Sequence, residues 1–312
     1  MKYSAFIILL FCCSCTKEYI VDIFYTIRYT NTVAPTSSKL LSVVFIDEQT
    51  GLIGSEKGEV FKTTNQGATW IKVTSFTDGA IHKIYFKNAS FGFACTSKGL
   101  YRTPNGGSSW TLVKEGDFRA IAFASENIVY AVGVGHYGGM IYKSVSNGQY
   151  WEEYLYPGLL SDLYAVAFRD ELTGYAVGED QAIYVTENGG GFWREGHGKF
   201  GQNYNDISFK DGKGFLSGDA GQLLIQTQNS SWNQHAEDFS YPLRAIDFKN
   251  EMGVAVGENS IVIGKTTQPD DWAYHYAPDG STIANDYYDV AFCTSESFIA
   301  VGNKGVITKF SP

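Results

Sequence analysis

The chain is poor in proline, histidine and arginine, and it has no long apolar run. It contains 7 Pro and 5 His, and because the histidines are scattered, a zinc site is not expected. The longest apolar stretch is AFIILLFCC, from Ala5 to Cys13, whereas a membrane-spanning helix needs about 20 apolar residues. No segment repeats apolar residues at the three-to-four spacing of an amphipathic helix. Long helices, a membrane span and a metal centre are therefore not expected.

Cysteine is scarce beyond the first residues of the chain. Of the 5 Cys, only Cys95 and Cys293 lie after residue 15. Both occur in short apolar segments, GFAC and AFC, that are typical of buried strands. We expect two separate core thiols, with no disulfide between them and no cofactor.

Aromatic residues and glycine are abundant instead. The chain has 21 Tyr, 21 Phe and 34 Gly, with 15% aromatic residues in all, which is far from the composition of a disordered protein. The formal charge is −9, and it becomes −10 when the first 14 residues, which include Lys2, are removed. A surface of this sign repels phosphate backbones, so nucleic acid is not expected as a partner. The composition predicts an all-β globular protein.

The N-terminus predicts export. Lys2 precedes the apolar run, and the small residue Ser14 stands just before Cys15, which is the order of a signal peptide and resembles a relaxed bacterial lipoprotein cleavage box. We predict a signal peptide over residues 1–14, lipidation of Cys15, and a short tether over residues 15–18 that holds the protein in the cell envelope. Cys13 is the alternative acceptor, and an ordinary secretory signal is the alternative interpretation.

Two residue types recur with a period of about 40 residues. The tryptophans, at successive spacings of 40, 41, 42, 39 and 40 residues, are Trp70, Trp110, Trp151, Trp193, Trp232 and Trp272. A strand ending in Phe precedes each Trp and occurs once more near the C-terminus; its last residues are Phe45, Phe86, Phe123, Phe168, Phe209, Phe248 and Phe292. Each complete unit contains four short segments rich in β-branched and aromatic residues. This pattern predicts a seven-bladed β-propeller.

The segment before each Trp is the most specific motif. It reads TTNQGATW, TPNGGSSW, SVSNGQYW and TENGGGFW in the first four units, and we call these segments box turns. A hydroxyl and an Asn side chain can cap backbone groups there, and Gly accepts a positive φ. The motif resembles the Asp-box of BNR-type repeats, and nearly the whole mature chain, from about Tyr19 to Phe310, resembles the seven-bladed group of photosystem II assembly and stability factors. The resemblance implies a propeller and a non-enzymatic scaffold.

The last unit lacks a fourth strand. It ends at GVITKF and Ser311-Pro312, whereas the segment from Tyr19 to Thr30 belongs to no complete unit. We predict that this N-terminal segment supplies the outer strand of the last blade, which removes an exposed edge. The propeller then spans residues 19–312, and the anchor lies near the box turns.

The position four residues before each Phe is expected at the inner rim of the channel mouth. Around the ring it is occupied by Leu41, His82, Arg119, Tyr164, Asn205, Arg244 and Tyr288. Six of these seven side chains are polar or hydrogen-bonding aromatics, whereas the position two before Phe is always Val or Ile. Rims on rigid scaffolds carry function, so we predict a binding rim; a merely solvated mouth is the alternative. Nearby loop residues are Asp117, Asp162, His136, Tyr137 and Asp286.

Three functions remain open. The resemblance implies a scaffold that binds a protein partner through a charged face, for which Arg119 and Arg244 would be the arginines; a monomer is expected. The second is a glycoside hydrolase, sialidase-like or with two facing carboxylates, for which Asp162 and Asp286 are the candidates. The third is glycan binding on Tyr137, Tyr164 and Tyr288.

Overall fold

A computed structural model describes residues 28–76, 79–154, 161–196, 202–227, 231–235, 239, 241–265, 272–274 and 285–312. The predicted signal peptide, Cys15, the tether and the first part of the predicted closing segment lie outside these residues. Within the described residues no helix is long and apolar enough to cross a membrane.

The described strands form seven four-stranded antiparallel sheets, so the predicted seven-bladed propeller is confirmed. Blade 1 comprises β2 (Leu40–Phe45), β3 (Gly51–Ser55), β4 (Glu59–Thr63) and β5 (Ile71–Ser75). Blade 2 comprises β6 (Ile81–Phe86), β7 (Gly92–Thr96), β8 (Gly99–Thr103) and β9 (Thr111–Glu115). Blade 3 comprises β10 (Asp117–Phe123), β11 (Val129–Val134), β12 (Gly139–Ser144) and β13 (Glu152–Tyr154).

The remaining blades repeat this order. Blade 4 comprises β14 (Leu163–Phe168), β15 (Gly174–Gly178), β16 (Ile183–Thr186) and β17 (Arg194–Glu195). Blade 5 comprises β18 (Tyr204–Lys210), β19 (Lys213–Gly218), β20 (Leu223–Gln226) and β21 (Trp232–Gln234). Blade 6 comprises β22 (Leu243–Lys249), β23 (Met252–Gly257), β24 (Val262–Lys265) and β25 (Trp272–Tyr274). Blade 7 comprises β26 (Tyr287–Phe292), β27 (Phe298–Gly302), β28 (Val306–Ser311) and, from the other end of the chain, β1 (Arg28–Val33).

The N-terminal strand closes the ring, as predicted. β1 pairs antiparallel with β28 from Arg28 opposite Ser311 to Val33 opposite Val306. The strand extends beyond the predicted limit at Thr30, because the backbone pairing continues to the turn that ends at Gly305. The first and last strands of the domain thus protect one another's edges.

The core is divided among the blade interfaces. Each apolar cluster joins residues of two neighbouring blades, and the described clusters cover all seven junctions. Each Trp packs between its own blade and the preceding one; Trp193, for example, is fully buried in the cluster of blades 3 and 4. At the junction of blades 6 and 7 the corresponding cluster contains Phe310 and Tyr29. Cys95 and Cys293 are both buried free thiols, as expected.

The box turns have the expected local geometry. In the first one, the Thr63 hydroxyl accepts the Gly67 N–H at 3.0 Å, and the Trp70 indole N–H donates to the Gly67 carbonyl at 3.1 Å. Gly67 has φ +80°, and a Cβ there would collide with Ile299 of blade 7, so glycine is needed for both conformation and close approach. The same hydroxyl-to-glycine bond recurs in the next three copies, at 3.0, 2.9 and 2.8 Å. These turns therefore fix each blade against its predecessor.

Candidate functional site: the mouth of the central channel

A cavity of about 470 Å³ occupies the centre of the ring, and all seven predicted rim positions line it. These are Leu41, His82, Arg119, Tyr164, Asn205, Arg244 and Tyr288. We call the end of the channel where they lie the mouth face, and the end where the box turns lie the turn face. The sequence therefore identified residues that come together in space; a ligand for them stays a prediction.

A β-bulge positions each of these seven side chains. In every first strand the pairing register shifts at this residue, for example between Leu40 and Ser42 and between Ile81 and Lys83. The residue before the bulge is buried in all seven blades, with at most 4% of its surface exposed. The bulge thus anchors one side chain in the core and directs the next into the channel mouth, a common use of bulges beside binding sites.

Arg119 lies within a small charged group in blades 2 and 3. Its guanidinium donates to Asp117 at 2.9 Å, and His82 lies 3.5 Å from both Asp117 and Arg119. Burial raises the pKa of Asp117, but hydrogen bonding to His82 and the charge of Arg119 outweigh it, so the pKa is lowered overall. Asp117 is therefore ionised and neutralises Arg119.

Arg244 is neutralised in the same way on the other side of the ring. It contacts Asp219 at 3.0 Å and also pairs with Glu258. Asn205 joins the group, since its amide donates to Asp219 at 3.0 Å and to the Leu243 carbonyl at 2.8 Å. Each rim arginine thus has its own carboxylate partners.

The two arginines do not form one basic patch. Arg119 belongs to blade 3 and Arg244 to blade 6, with the rim residues of blades 4 and 5 between them. All six arginines lie in the described part of the chain, and these two line the cavity. Because both are paired with carboxylates, the positive charge of each arginine is balanced locally at the mouth.

A second charged layer, which was not predicted from the sequence, lies deeper in the channel. Its members are Lys83, Asp206, Asp247 and Asp289. The Lys83 ammonium lies 2.9 Å from Asp289, whose side chain is only 3% exposed. The signal in the sequence was a charge on inner strands that were otherwise apolar, as in HKIYF, NDISF, RAIDF and YDVAF. We call these four residues the channel charge group.

The carboxylates of this group join neighbouring blades. Asp206 accepts the Ile246 N–H at 3.1 Å, which links blades 5 and 6. Asp247 accepts the Phe292 N–H at 3.2 Å, which links blades 6 and 7. Asp289 accepts the Val43 N–H at 2.9 Å, which links blade 7 to blade 1. Backbone donors on the inner strands, which have no further strand to pair with, are thereby satisfied.

The charge balance of this group is uneven. Burial raises the pKa of Asp247 to about 6, and it also raises the pKa of Asp206. Burial disfavours the Lys83 ammonium, but the charges of Asp289, Asp206 and Asp247 outweigh it and raise the pKa of Lys83. The group therefore contains one cation, Lys83, and three carboxyl groups.

The opposite wall of the channel is apolar. Blades 3 and 4 place alanine at the positions that carry charge elsewhere, and these residues are Ala120, Ala122, Ala165 and Ala167. Phe123, Phe168, Phe209 and Tyr85 complete the apolar lining. Blades 3 and 4 thus line the channel with apolar side chains below the rim, whereas blades 2, 5, 6 and 7 add charged ones.

The other loop residues are dispersed. Tyr137 is 87% exposed and contacts only the ring of His136 among the described aromatic pairs, and neither residue lines the cavity. The charged neighbours that shift the pKa of Asp162 are Arg119 and Asp117; burial is the larger cause, and the pKa is raised. Asp286 instead accepts hydrogen bonds from Asn259 and Asn303. Asp162 and Asp286 therefore interact with different sets of residues.

The described residues also contain no cluster of three or more His, Cys, Asp or Glu side chains arranged to hold a metal ion.

Comparison with known proteins identifies the fold. No family model matches the chain, and no curated protein matches it. Among solved structures it is similar to YCF48 bound to a D1 peptide, with a TM-score of 0.71 and 16% identity over 91% of this chain and 95% of that one. YCF48 from Cyanidioschyzon merolae gives 0.69 and 16% over 91% and 98%. The WD40 β-propeller domain of Doa1 gives 0.70 and 12% over 90% and 95%. At such identities the likeness establishes the fold alone: the chain is a β-propeller that resembles YCF48.

Proposed function

We propose that the protein is a non-enzymatic, lipid-anchored scaffold of the cell envelope that binds a protein partner through its mouth face. The observation that carries this proposal is the convergence of the seven bulged side chains around one cavity of about 470 Å³. They are held on inner strands with buried anchors, so the rim is rigid before any partner arrives. Rigid presentation lowers the ordering cost of binding.

A structural neighbour supports a protein ligand. YCF48, which has a similar fold, has been solved with a D1 peptide bound. A propeller of this shape can therefore bind a peptide. The rim of this chain offers both hydrogen-bond donors and acceptors, including Asn205, Tyr164 and Tyr288, which suits a peptide backbone and its side chains better than a single small anion.

The arrangement of charges argues against hydrolysis of glycosides. A sialidase needs three arginines for the substrate carboxylate, whereas two line this cavity and both are already paired with carboxylates. A two-carboxylate hydrolase needs acids about 5–10 Å apart across the scissile bond. Asp162 and Asp286 instead have separate partners.

The position of β1 supports a mouth face that points away from the membrane. Arg28, the first residue of β1, pairs with Ser311. The nearby Lys309 ammonium donates to the carbonyl of Gln66 in the first box turn at 3.1 Å. β1 thus begins at the turn face. A lipid on Cys15 would tether that face to the bilayer and leave the mouth accessible.

The proposal is tested with the soluble domain, residues 19–312, used as bait for envelope extracts and on a glycan array. Arg119→Ala/Arg244→Ala should abolish capture of a protein partner. The matched control is Arg169→Ala/Arg194→Ala, which removes two arginines that also pair with carboxylates, Asp170 and Glu187, outside the cavity. Equal capture by both double variants would refute the mouth as the binding face. Binding to glycans without a protein partner would favour a lectin.

The anchor is tested separately. Mass spectrometry of the mature full-length protein should find a lipid-modified Cys15 as the first residue. An unmodified mature N-terminus would exclude lipidation.

A further inference from the structure

The central channel has room and chemistry that the rim proposal does not use. Below the rim, the channel is lined by the alanine wall of blades 3 and 4 and by the channel charge group, whose members belong to blades 2, 5, 6 and 7. A volume of about 470 Å³ is within the range of small-ligand sites, about 300–1,000 Å³. An occupant would therefore meet aliphatic and aromatic surface on one side and carboxylates on the other.

The carboxylates keep acceptor capacity towards the channel. A carboxylate has about four lone-pair sites. Asp206 uses one oxygen for the Ile207 N–H and the other for the Ile246 N–H, and Asp247 uses its two oxygens for the N–H groups of Phe248 and Phe292. These bonds fix both carboxylates in place. Each retains lone pairs that a further donor can use.

Linking the blades does not require these charges. Ser42 occupies the position of Asp206 and Asp289 in blade 1, and its neutral hydroxyl accepts the Ile84 N–H of blade 2 at 2.9 Å. A serine thus makes the same inter-blade bond with no charge to desolvate. With three aspartates and Lys83, the ionised group carries two negative charges more than positive ones. Hydrogen bonding between blades therefore does not explain the excess negative charge in the channel.

We propose that the channel is a receptor for a cationic side chain, lysine or arginine, that the protein partner inserts through the mouth. The aliphatic stem would lie on the alanine wall, and the charged end would reach the free lone pairs of Asp206 and Asp247. This inference rests on the proposed function and specifies the partner's chemistry. The partner is a protein with an exposed basic residue at the centre of its contact surface.

The test uses two acetylated and amidated peptides, Gly-Ser-Lys-Ser-Gly and the same sequence with norleucine in place of lysine. Binding to the soluble domain is measured by saturation-transfer NMR at constant ionic strength. The lysine peptide should bind at least tenfold more tightly, because norleucine keeps the aliphatic stem but lacks the ammonium. Equal binding of the two peptides, or binding of neither, would overturn the inference.

Variants locate the binding. Asp206→Asn/Asp247→Asn should weaken binding of the lysine peptide at least tenfold. Asp47→Asn/Asp170→Asn, which alters two acids in turn-face loops, should leave this affinity unchanged. Ala122→Leu/Ala167→Leu, which narrows the channel at its apolar wall, should weaken the binding of both peptides. Thermal unfolding of each variant shows whether it is folded. An Asp206→Asn/Asp247→Asn protein that is folded and still binds the lysine peptide with unchanged affinity would refute the site.

The two proposals can fail separately. If the protein partner is captured through the rim but the Asp206→Asn/Asp247→Asn variant captures it equally well, the cation receptor is wrong and the scaffold function stands. If the rim variants capture the partner normally, the scaffold function through the mouth is wrong.

Discussion

Removal of the Lys83 ammonium is the sharpest test of how the channel charges act on stability. Lys83 lies 2.9 Å from Asp289, whose side chain is 3% exposed, while that of Lys83 is 33% exposed. Breaking a buried ion pair from one side costs about 3–5 kcal/mol, because the remaining charge is left without a partner. Since Lys83 is partly exposed, we expect Lys83→Met to lower the free energy of unfolding by about 3 kcal/mol at pH 8.

The loss should depend on pH with a definite sign. Asp247 has a pKa of about 6 in the folded protein, above its ordinary value of 3.8. The folded state therefore binds more protons than the unfolded chain between about pH 4 and pH 6, and this group's contribution to stability falls as pH rises through that window. Without Lys83 the pKa values of Asp206 and Asp247 rise further. The difference between wild type and Lys83→Met should thus be smaller at pH 5 than at pH 8.

Urea unfolding followed by tryptophan fluorescence at both pH values measures this difference. Urea is uncharged, so it does not screen the channel. The control is Lys143→Met, whose ammonium donates to the Gly189 carbonyl at 3.4 Å and lies over the Tyr130 ring; it should cost about 1 kcal/mol at either pH. Lys83→Met/Asp289→Asn should recover part of the loss, since the amide oxygen can still accept the Val43 N–H. An equal loss at both pH values, or one no larger than in the control, would refute the reasoning.

Three further predictions concern the architecture. Truncation of the domain to start at Ala34 removes β1 and exposes β28, so the midpoint of thermal unfolding should fall markedly relative to a domain starting at residue 19; an unchanged midpoint would contradict the closure. Trp193→Ala, at a fully buried position, should lower the free energy of unfolding in urea by about 3–5 kcal/mol, whereas Trp110→Ala, at a partly buried one, should cost less; the reverse order would contradict the packing. In the soluble domain, Cys95 and Cys293 are buried and burial raises the pKa of both thiols, so a thiol reagent should label neither until urea unfolds the protein; rapid labelling of the native protein would show that the blade interfaces open.

The blades could be predicted from the sequence because the same packing arrangement recurs in all seven units. A four-stranded sheet must bury both faces against its neighbours, and this requires an apolar residue at the same place in each unit. Val43, Ile84 and their counterparts, two before each Phe, are accordingly buried in every blade. The closing strand was predictable by elimination, because the seventh unit lacked a fourth strand and the N-terminal segment that contains β1 belonged to no complete unit.

The rim was predictable in position but not in mechanism. Counting back from Phe placed His82 and Arg119 at the mouth. The bulge that directs these side chains into the channel arises from the register between the first and second strands, which the sequence of the first strand alone does not show. The carboxylate partners of the arginines were not predictable either. Glu258 reaches Arg244 from the turn after the second strand of the same blade, and Asp219 reaches it from the neighbouring blade.

The channel charge group was missed for a related reason. Simple alternation assigns the inner strand two faces, both turned towards neighbouring sheets, and leaves no side for the channel. Asp289 is 246 residues from Val43, whose N–H it accepts, and 206 residues from Lys83. Contacts across the ring of this kind have no local signature beyond a charged residue in an apolar strand.

The positions of these contacts connect ring closure with the proposed ligand. The blades follow one another along the chain, whereas blade 7 is linked to blade 1 through β1, which pairs with β28. At that same junction Asp289 accepts the Val43 N–H, and it also pairs with Lys83 of blade 2. A cation that enters the channel would reduce the repulsion among Asp206, Asp247 and Asp289. A ligand that binds only the closed ring stabilises that state by an amount that grows with the logarithm of the ligand concentration relative to its Kd. If a basic side chain binds the channel as proposed, its binding is therefore linked to closure of the ring, and a partner with that side chain should stabilise the closed propeller.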